Sequence, residues 1–228
     1  MFKPVILESN QHALDFGCGL GGVACYLAKN HGMRVTALDV NEKMIARNQK
    51  NLPEELTDLV TYVYTEPNVL LPFEEDTFDI VYSKGVLVHL TDENIKRMFH
   101  EFFRVLKAGG TLVILDWLSA KEGEWCEKVH QLCAMEPLIL FPRTEMNYFN
   151  DLKAAGFKNI KMLDDNPVSY QWNLEIIDRL QEPVYKRKYI QELGEKIHEN
   201  ALKGYQLIGE ATRTGDALVR RFIAKKFI

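Results

Sequence analysis

Short apolar runs alternate with amphipathic stretches along most of the chain. The run HALDF at 12–16 has the length of a buried strand, and VACYLAKN after it has a helical period ending at Gly32, a residue suited to a left-handed cap. RVTALDV predicts a second strand. NEKMIARNQKNL predicts a helix capped by Asn41, with Met44, Ile45 and Asn48 on one face. VTYVYT and TFDIVYS predict two further strands, followed by the helix TDENIKRMFHEFFRVLK. In that helix Thr91 is the expected cap, and Ile95, Met98, Phe99, Phe102 and Val105 or Leu106 point to the core. A break at Ala108, Gly109 and Gly110 precedes TLVILDW, whose unbroken apolar run suits a central strand buried on both faces. TEMNYFNDLKAAGF then reads as a capped helix, and NIKMLDD and ALVRRFIAKK as two more strands.

Strands that alternate with helices imply an α/β fold with a doubly wound, mainly parallel sheet, whose ligands bind at the carboxyl ends of the strands. The segment between the last two strands, about fifty residues, is too long for a loop. Its pattern is helical, so residues 166–214 are expected to form a helical cap inserted in a single domain spanning 1–228.

The net charge of −4 and pI near 5.9 offer no general attraction to a polyanion, so nucleic acid is not the expected partner. No apolar run approaches the roughly 20 residues of a membrane-spanning helix, and MFKPVILESNQ lacks the form of a signal peptide. A cytoplasmic protein with a small-molecule substrate and no membrane partner is expected. Cys18, Cys25, Cys126 and Cys133 lack metal-ligand spacing, so no metal site is expected and the thiols are expected to be reduced.

The stretch LDFGCGLGG fits two templates. Gly17, Gly19 and Gly22 have the GxGxxG spacing of a dinucleotide loop, whereas Asp15, Gly17, Gly19 and Gly21 have a D-x-G-x-G-x-G spacing. Asp39 closes the second strand, with Val40 beside it, where a carboxylate can accept both hydroxyls of an adenosine ribose; this suits either ligand. Asp15 discriminates. A carboxylate there repels a pyrophosphate but can hold the ammonium of an amino-acid tail, which favours S-adenosylmethionine over NAD. Asn68 and Val69, after the third strand, are placed to meet the adenine with a side-chain amide and a backbone N–H; Asn68 as a plain turn former is the alternative.

In these segments, together with ALDVNEKMI, LPFEEDTFDIVYSKGVLVHL, FFRVLKAGGTLVILDW and LKAAGFKNI in the same order, the chain resembles the class I S-adenosylmethionine-dependent methyltransferases. The resemblance implies a Rossmann-like, seven-stranded sheet whose last strand is antiparallel. It also assigns Gly17, Gly19, Asp39, Asn68, Val69 and Ser83 to the cofactor. YSKGVLVHLTDENIKRMF with LVILDWLSAKEGEW is similar to phosphoethanolamine and other small-amine N-methyltransferases, and that similarity makes His89 the catalytic histidine. Those enzymes often carry an acid where this chain has Gly85, a phenol where it has Trp117, and a tyrosine-bearing helix before the first strand, where this chain has about a dozen residues. Around Pro137 to Leu140 this chain also lacks the arginine and tyrosine that grip a substrate phosphate.

Methyl transfer to an amine needs a free lone pair, and histidine changes charge near neutrality, so His89 is the candidate base; the alternative is that it only orients the turn before Thr91. Trp117, at the end of the fifth strand, and Arg143 are candidate substrate contacts, by cation–π attraction and by pairing with an anionic group. The expected function is S-adenosylmethionine-dependent methyl transfer to a small polar molecule, most plausibly an amine of phosphoethanolamine or amino-acid type, with S-adenosylhomocysteine as product. The rivals are a cofactor-binding protein without catalysis or needing a partner subunit, and an NAD-dependent oxidoreductase.

Overall fold

The computed structural model describes residues 1–67, 70–135 and 138–227. In chain order, β1 (His12–Phe16) leads to α1 (Gly22–His31), β2 (Arg34–Asp39), α2 (Glu42–Lys50) and β3 (Val60–Tyr64). β4 (Phe78–Lys84), α3 (Asp92–Val105) and β5 (Leu106–Ser119) follow, then α4 (Glu127–Met135), α5 (Glu145–Ala154) and β6 (Lys158–Asp164). The helices α6 (Asn166–Gln181), α7 (Pro183–Leu193) and α8 (Glu195–Thr214) precede β7 (Ala217–Lys225).

The expected caps form. Gly32 ends α1 at φ 65°, the Asn41 side chain accepts from the Met44 amide at 3.1 Å, and Thr91 accepts from the Asn94 amide. At α5 the cap is reciprocal: Thr144 accepts from the Asn147 amide while the Asn147 side chain accepts from the Thr144 amide. Ile95, Met98, Phe99, Phe102 and Val105 of α3 are all buried.

Seven strands join in the order β3-β2-β1-β4-β5-β7-β6, in a mixed sheet with one antiparallel-paired strand. The pairs β1–β2, β1–β4, β2–β3 and β4–β5 are parallel. The Gly109 amide donates to the Lys226 carbonyl and the Lys226 amide to the Gly110 carbonyl, so the end of β7 meets the start of β5.

One local expectation needs correcting. Ala108–Gly110 do not separate helix from strand; β5 begins at Leu106, directly after α3. Phe78 pairs with Leu106 and Ile80 with Thr111, so the glycines form a bulge inside the strand. A Cβ on Gly110 would lie 2.7 Å from the Lys107 carbonyl, which explains why that kink takes glycine. The helix α4 was not expected from the pattern.

The chain divides into two compact units: Met1–Asp116 with Phe149–Met162 and Arg221–Ile228, and Trp117–Tyr148 with Leu163–Arg220. In the first, one sheet face packs against α1 and α2 through Ala13, Ala37, Tyr62, Ile80 and Tyr82. The other meets α3, with Phe16 and Phe102 edge to face at 5.0 Å. In the second unit α8 packs on α4 and α6, and a Cβ on its Gly204 would touch Leu132 at 3.0 Å. Arg220 ties this unit together through Asp164, Asn166 and Glu145.

Candidate active site

Parallel register brings three strand ends level in the first unit: Asp15 pairs with Ala37 and Tyr82, and Phe16 with Leu38 and Ser83. The glycine loop leaves β1 here and is tied at once to β2, because the amides of Gly17 and Cys18 both donate to the Leu38 carbonyl.

Positive φ falls on Gly17, Gly19 and Gly21, at 77°, 50° and 72°, and not on Gly22, which opens α1. The loop therefore has the D-x-G-x-G-x-G geometry. At Gly17 a Cβ would come within 2.3 Å of Val86, and at Gly21 within 2.2 Å of the Tyr62 hydroxyl. Both positions thus exclude a side chain by conformation and by space.

Asp39 accepts from the Gly19 amide at 2.8 Å with one carboxylate oxygen and from the Asn41 amide at 2.9 Å with the other. Each oxygen keeps a lone pair for a further donor. The Gly19 carbonyl in turn accepts from Asn48 at 2.7 Å, so loop, strand end and α2 form one hydrogen-bonded unit. Val40 follows with its side chain 52% exposed, leaving an apolar surface beside the carboxylate.

Asp15 is only 3% exposed, and its Oδ2 makes no hydrogen bond. Burial pushes its pKa up to about 7; the neighbouring Tyr82 side chain opposes this, the charge of Asp39 adds to it and Lys84 opposes it. A donor cation delivered to this oxygen would meet an unfilled acceptor whose nearest rival donor is the Tyr82 hydroxyl. Burial likewise drives the Cys18 thiol up to about 12, so that thiol is not a nucleophile.

The Ser83 hydroxyl is buried and donates to the Phe16 carbonyl at 3.1 Å, stapling β4 to the root of the loop. Beyond it Leu87–His89 form a short 3₁₀ turn. That turn hangs from β5 at two points: the Gly85 amide donates to Leu115, and the Val88 amide donates to the carboxylate of buried Asp116 at 3.0 Å. His89, at the end of the turn, is exposed.

Asn68 and Val69 lie outside the described residues. The chain just after them is clamped by α3, since Glu101 accepts from the Leu71 amide while Arg104 pairs with Glu101 and donates to the carbonyls of Leu71 and Phe73. Trp117 and Arg143 belong to the second unit. Trp117 is half-buried, while Arg143 is 5% exposed with its guanidinium 5.8 Å from the Tyr148 ring centre. The geometry thus brings together Asp15, Gly17, Gly19, Gly21, Asp39 and Ser83, with His89 on a turn tied to the same sheet. It adds Asn48, Tyr82, Glu101, Arg104 and Asp116 as supports.

A family described as "methyltransferase domain" matches residues 14–114, the segment that carries all of these strand-end features except Asp116. Residues 14–114 are a methyltransferase domain. Over 175 residues the chain is 28% identical to a phosphoethanolamine N-methyltransferase of Plasmodium falciparum, covering 76% of this chain and 62% of that protein. Over 187 residues it is 30% identical to a glycine/sarcosine/dimethylglycine N-methyltransferase of Actinopolyspora halophila, covering 78% of this chain and 31% of that one. The fold of the methyltransferase domain and its helices matches a Haemonchus contortus phosphoethanolamine N-methyltransferase 2 solved with phosphomonomethylethanolamine and S-adenosylhomocysteine. That likeness has a TM-score of 0.87 at 21% identity, over 99% of this chain and 51% of the solved one. The chain therefore spans only part of the length of these relatives, less than two thirds of each. Among the described residues, no helix is long and apolar enough to cross a membrane.

Proposed function

We propose that this methyltransferase domain binds S-adenosylmethionine at the carboxyl ends of β1, β2 and β4 and methylates an amine nitrogen of a small polar molecule. The observation that carries the reading is the buried, unpartnered oxygen of Asp15 beneath a three-glycine loop that is itself tied to Asp39. Those groups fit the cofactor's polar ends: Asp15 suits the ammonium of its amino-acid tail, and the open lone pairs of Asp39 suit the ribose hydroxyls. Val40 offers an apolar surface for the adenine, and Asn68 with Val69 remain our candidates for its edge. Ser83 acts through the Phe16 carbonyl, holding the root of the loop.

When bound, S-adenosylmethionine supplies a methyl group already activated by its positive sulfur. What the chain must add is alignment and a place for the acceptor's proton. His89 accepts that proton at an imidazole nitrogen as the amine lone pair is freed. Asp116 keeps the histidine turn in register with the strand ends through the Val88 amide. The helices of 166–214, with Trp117 and Arg143, are our candidates for the part that chooses the acceptor. The named activities of the relatives, on phosphoethanolamine and on glycine-type amines, support an amine acceptor.

The test is S-adenosylhomocysteine release across ethanolamine, phosphoethanolamine, their mono- and dimethyl forms, glycine and sarcosine. Turnover on one acceptor, at least about tenfold lower in His89→Ala, is expected. Tight cofactor binding without turnover on any member would favour a binding role or a missing subunit instead. Stabilisation by NAD and not by S-adenosylhomocysteine would return the oxidoreductase reading.

A further inference from the structure

A second cleft, of about 190 Å³, lies in the first unit among α1, α2 and β3. None of the residues read above as cofactor contacts lines it. Leu20 of the glycine loop, Leu52 and the Cys25 thiol give it apolar surface, while Arg47, Asn48, Asn51 and Tyr62 supply polar groups. Its charge is one-sided: Arg47 is the only ionised side chain of the lining, and no acid belongs to it. Arg47 is exposed, and among the described residues its guanidinium has no hydrogen-bond or ion-pair partner. Asn51 follows four residues later, with its amide bonded to the Arg47 carbonyl, so the two share one face at the end of α2. A guanidinium beside a side-chain amide suits a carboxylate, which takes two parallel N–H donors. The leucines ask for an apolar body behind that carboxylate. The volume falls below the roughly 300 Å³ at which sites for drug-sized ligands begin, so the guest must be compact.

The cleft also touches two side chains that brace the glycine loop. Asn48 lines it while donating to the Gly19 carbonyl at 2.7 Å. Tyr62 lines it while its hydroxyl meets the Cys25 thiol at 3.5 Å and fills the space that a Cβ on Gly21 would need. A guest packed against both leaves them less room to swing away from the loop. We propose that the cleft among α1, α2 and β3 binds a small organic carboxylate paired with Arg47, and that its occupancy tightens the hold of the glycine loop on the cofactor. The carboxylate site stands without the cofactor reading; the tightening rests on it. Because coupling is reciprocal, the cofactor raises the affinity for the carboxylate by the same factor.

The experiment uses Cys25 as a reporter inside the cleft, benzoate as the probe and benzamide as its uncharged isostere. Alkylation of each thiol of the intact chain by iodoacetamide is followed by mass spectrometry. Benzoate should slow alkylation of Cys25 at least about fivefold, with half-protection on the order of 1 mM, and leave Cys126 within about twofold. Benzamide should protect less well. Arg47→Met should reduce protection by benzoate to the level of benzamide, and Arg47→Lys should restore part of it. Thermal melts check that both variants fold, as expected for so exposed a side chain. By calorimetry, benzoate should tighten S-adenosylhomocysteine binding about threefold in the wild-type chain and not in Arg47→Met. No slowing at Cys25, equal slowing at every thiol, or unchanged protection in Arg47→Met would overturn the carboxylate site. Protection of Cys25 with an unaltered affinity for S-adenosylhomocysteine would overturn the tightening. A chain that binds no S-adenosylhomocysteine while benzoate still protects Cys25 removes the cofactor reading, and the tightening with it, and upholds the carboxylate site.

Discussion

The strand-end region and the helical part of the second unit are built on opposite plans. At the strand ends almost every polar atom has a fixed duty: Asp39 holds two amides, Asn48 holds the glycine loop, Ser83 holds Phe16 and Asp116 holds Val88. The helices α6 to α8 instead carry large apolar side chains on the surface, among them Val168, Trp172, Val184 and Ile197. Their polar contacts are mostly local, such as Glu182 capping α7 and Arg213 pairing with Glu210 one turn away. A region built on backbone hydrogen bonds and forbidden side chains recognises one invariant ligand. A region held by packing and local pairs can change its surface without losing its fold.

Substitutions should separate the two plans by size of effect. The largest is expected at Asp39→Ala, which strips the amides of Gly19 and Asn41 of their acceptor and the ribose of its own. S-adenosylhomocysteine should bind about a hundredfold more weakly by calorimetry. Next comes Asp116→Ala, which frees the Val88 amide: turnover is expected to drop about tenfold with cofactor affinity held within twofold. Asp116→Asn, which keeps an acceptor oxygen, should recover most of it. A matching fall in cofactor affinity would show that Asp116 supports the loop and not the histidine turn.

The effect of pH is third. Asp15 is pushed up to about 7, so below neutrality it is protonated in the folded chain and must ionise to receive an ammonium. Affinity for S-adenosylhomocysteine should therefore weaken by up to about tenfold per pH unit as pH falls below 7, with a proton released on binding in that window. For the free protein the sign is opposite. The folded state binds more protons than the unfolded one between the ordinary carboxyl range and 7, so the Asp15 contribution to stability declines as pH rises through it. A pH-independent affinity would mean that the cofactor's ammonium lies elsewhere. Smallest is Trp172→Ala, at an exposed site: cofactor affinity should stay within about twofold and stability within about 0.5 kcal/mol.

Much of the strand-end region could be read from the chain alone because its demands are local. A glycine at positive φ, an acid closing a strand and a threonine before a helix each leave a signature within a few residues. The supports could not be read in that way. Asn48 meets Gly19 across 29 residues and Asp116 meets Val88 across 28, and nothing near either residue announces its partner. The α4 helix does not stand out in the pattern because it is only nine residues long, with Val129 and Leu132 as its buried positions. Arg143 reads as a free cation in the sequence, but Tyr148, five residues on, gives its guanidinium an aromatic face inside the unit. The bulge at Gly109 and Gly110 resembles a turn because glycines mark both.

The path of the chain has a consequence for how such a protein changes over time. It leaves the first unit after Asp116 and returns at Phe149, then leaves after Met162 and returns at Arg221. The first leaves from within β5 and returns inside α5, the second leaves from within β6 and returns within β7, and β1, β2 and β4 all precede both. Insertions, losses and exchanges in either excursion therefore leave the pairing of β1, β2 and β4 untouched. If the proposed acceptor-choosing part is the right one, natural variation can rewrite that choice in two separate stretches of the gene while inheriting the rest unaltered.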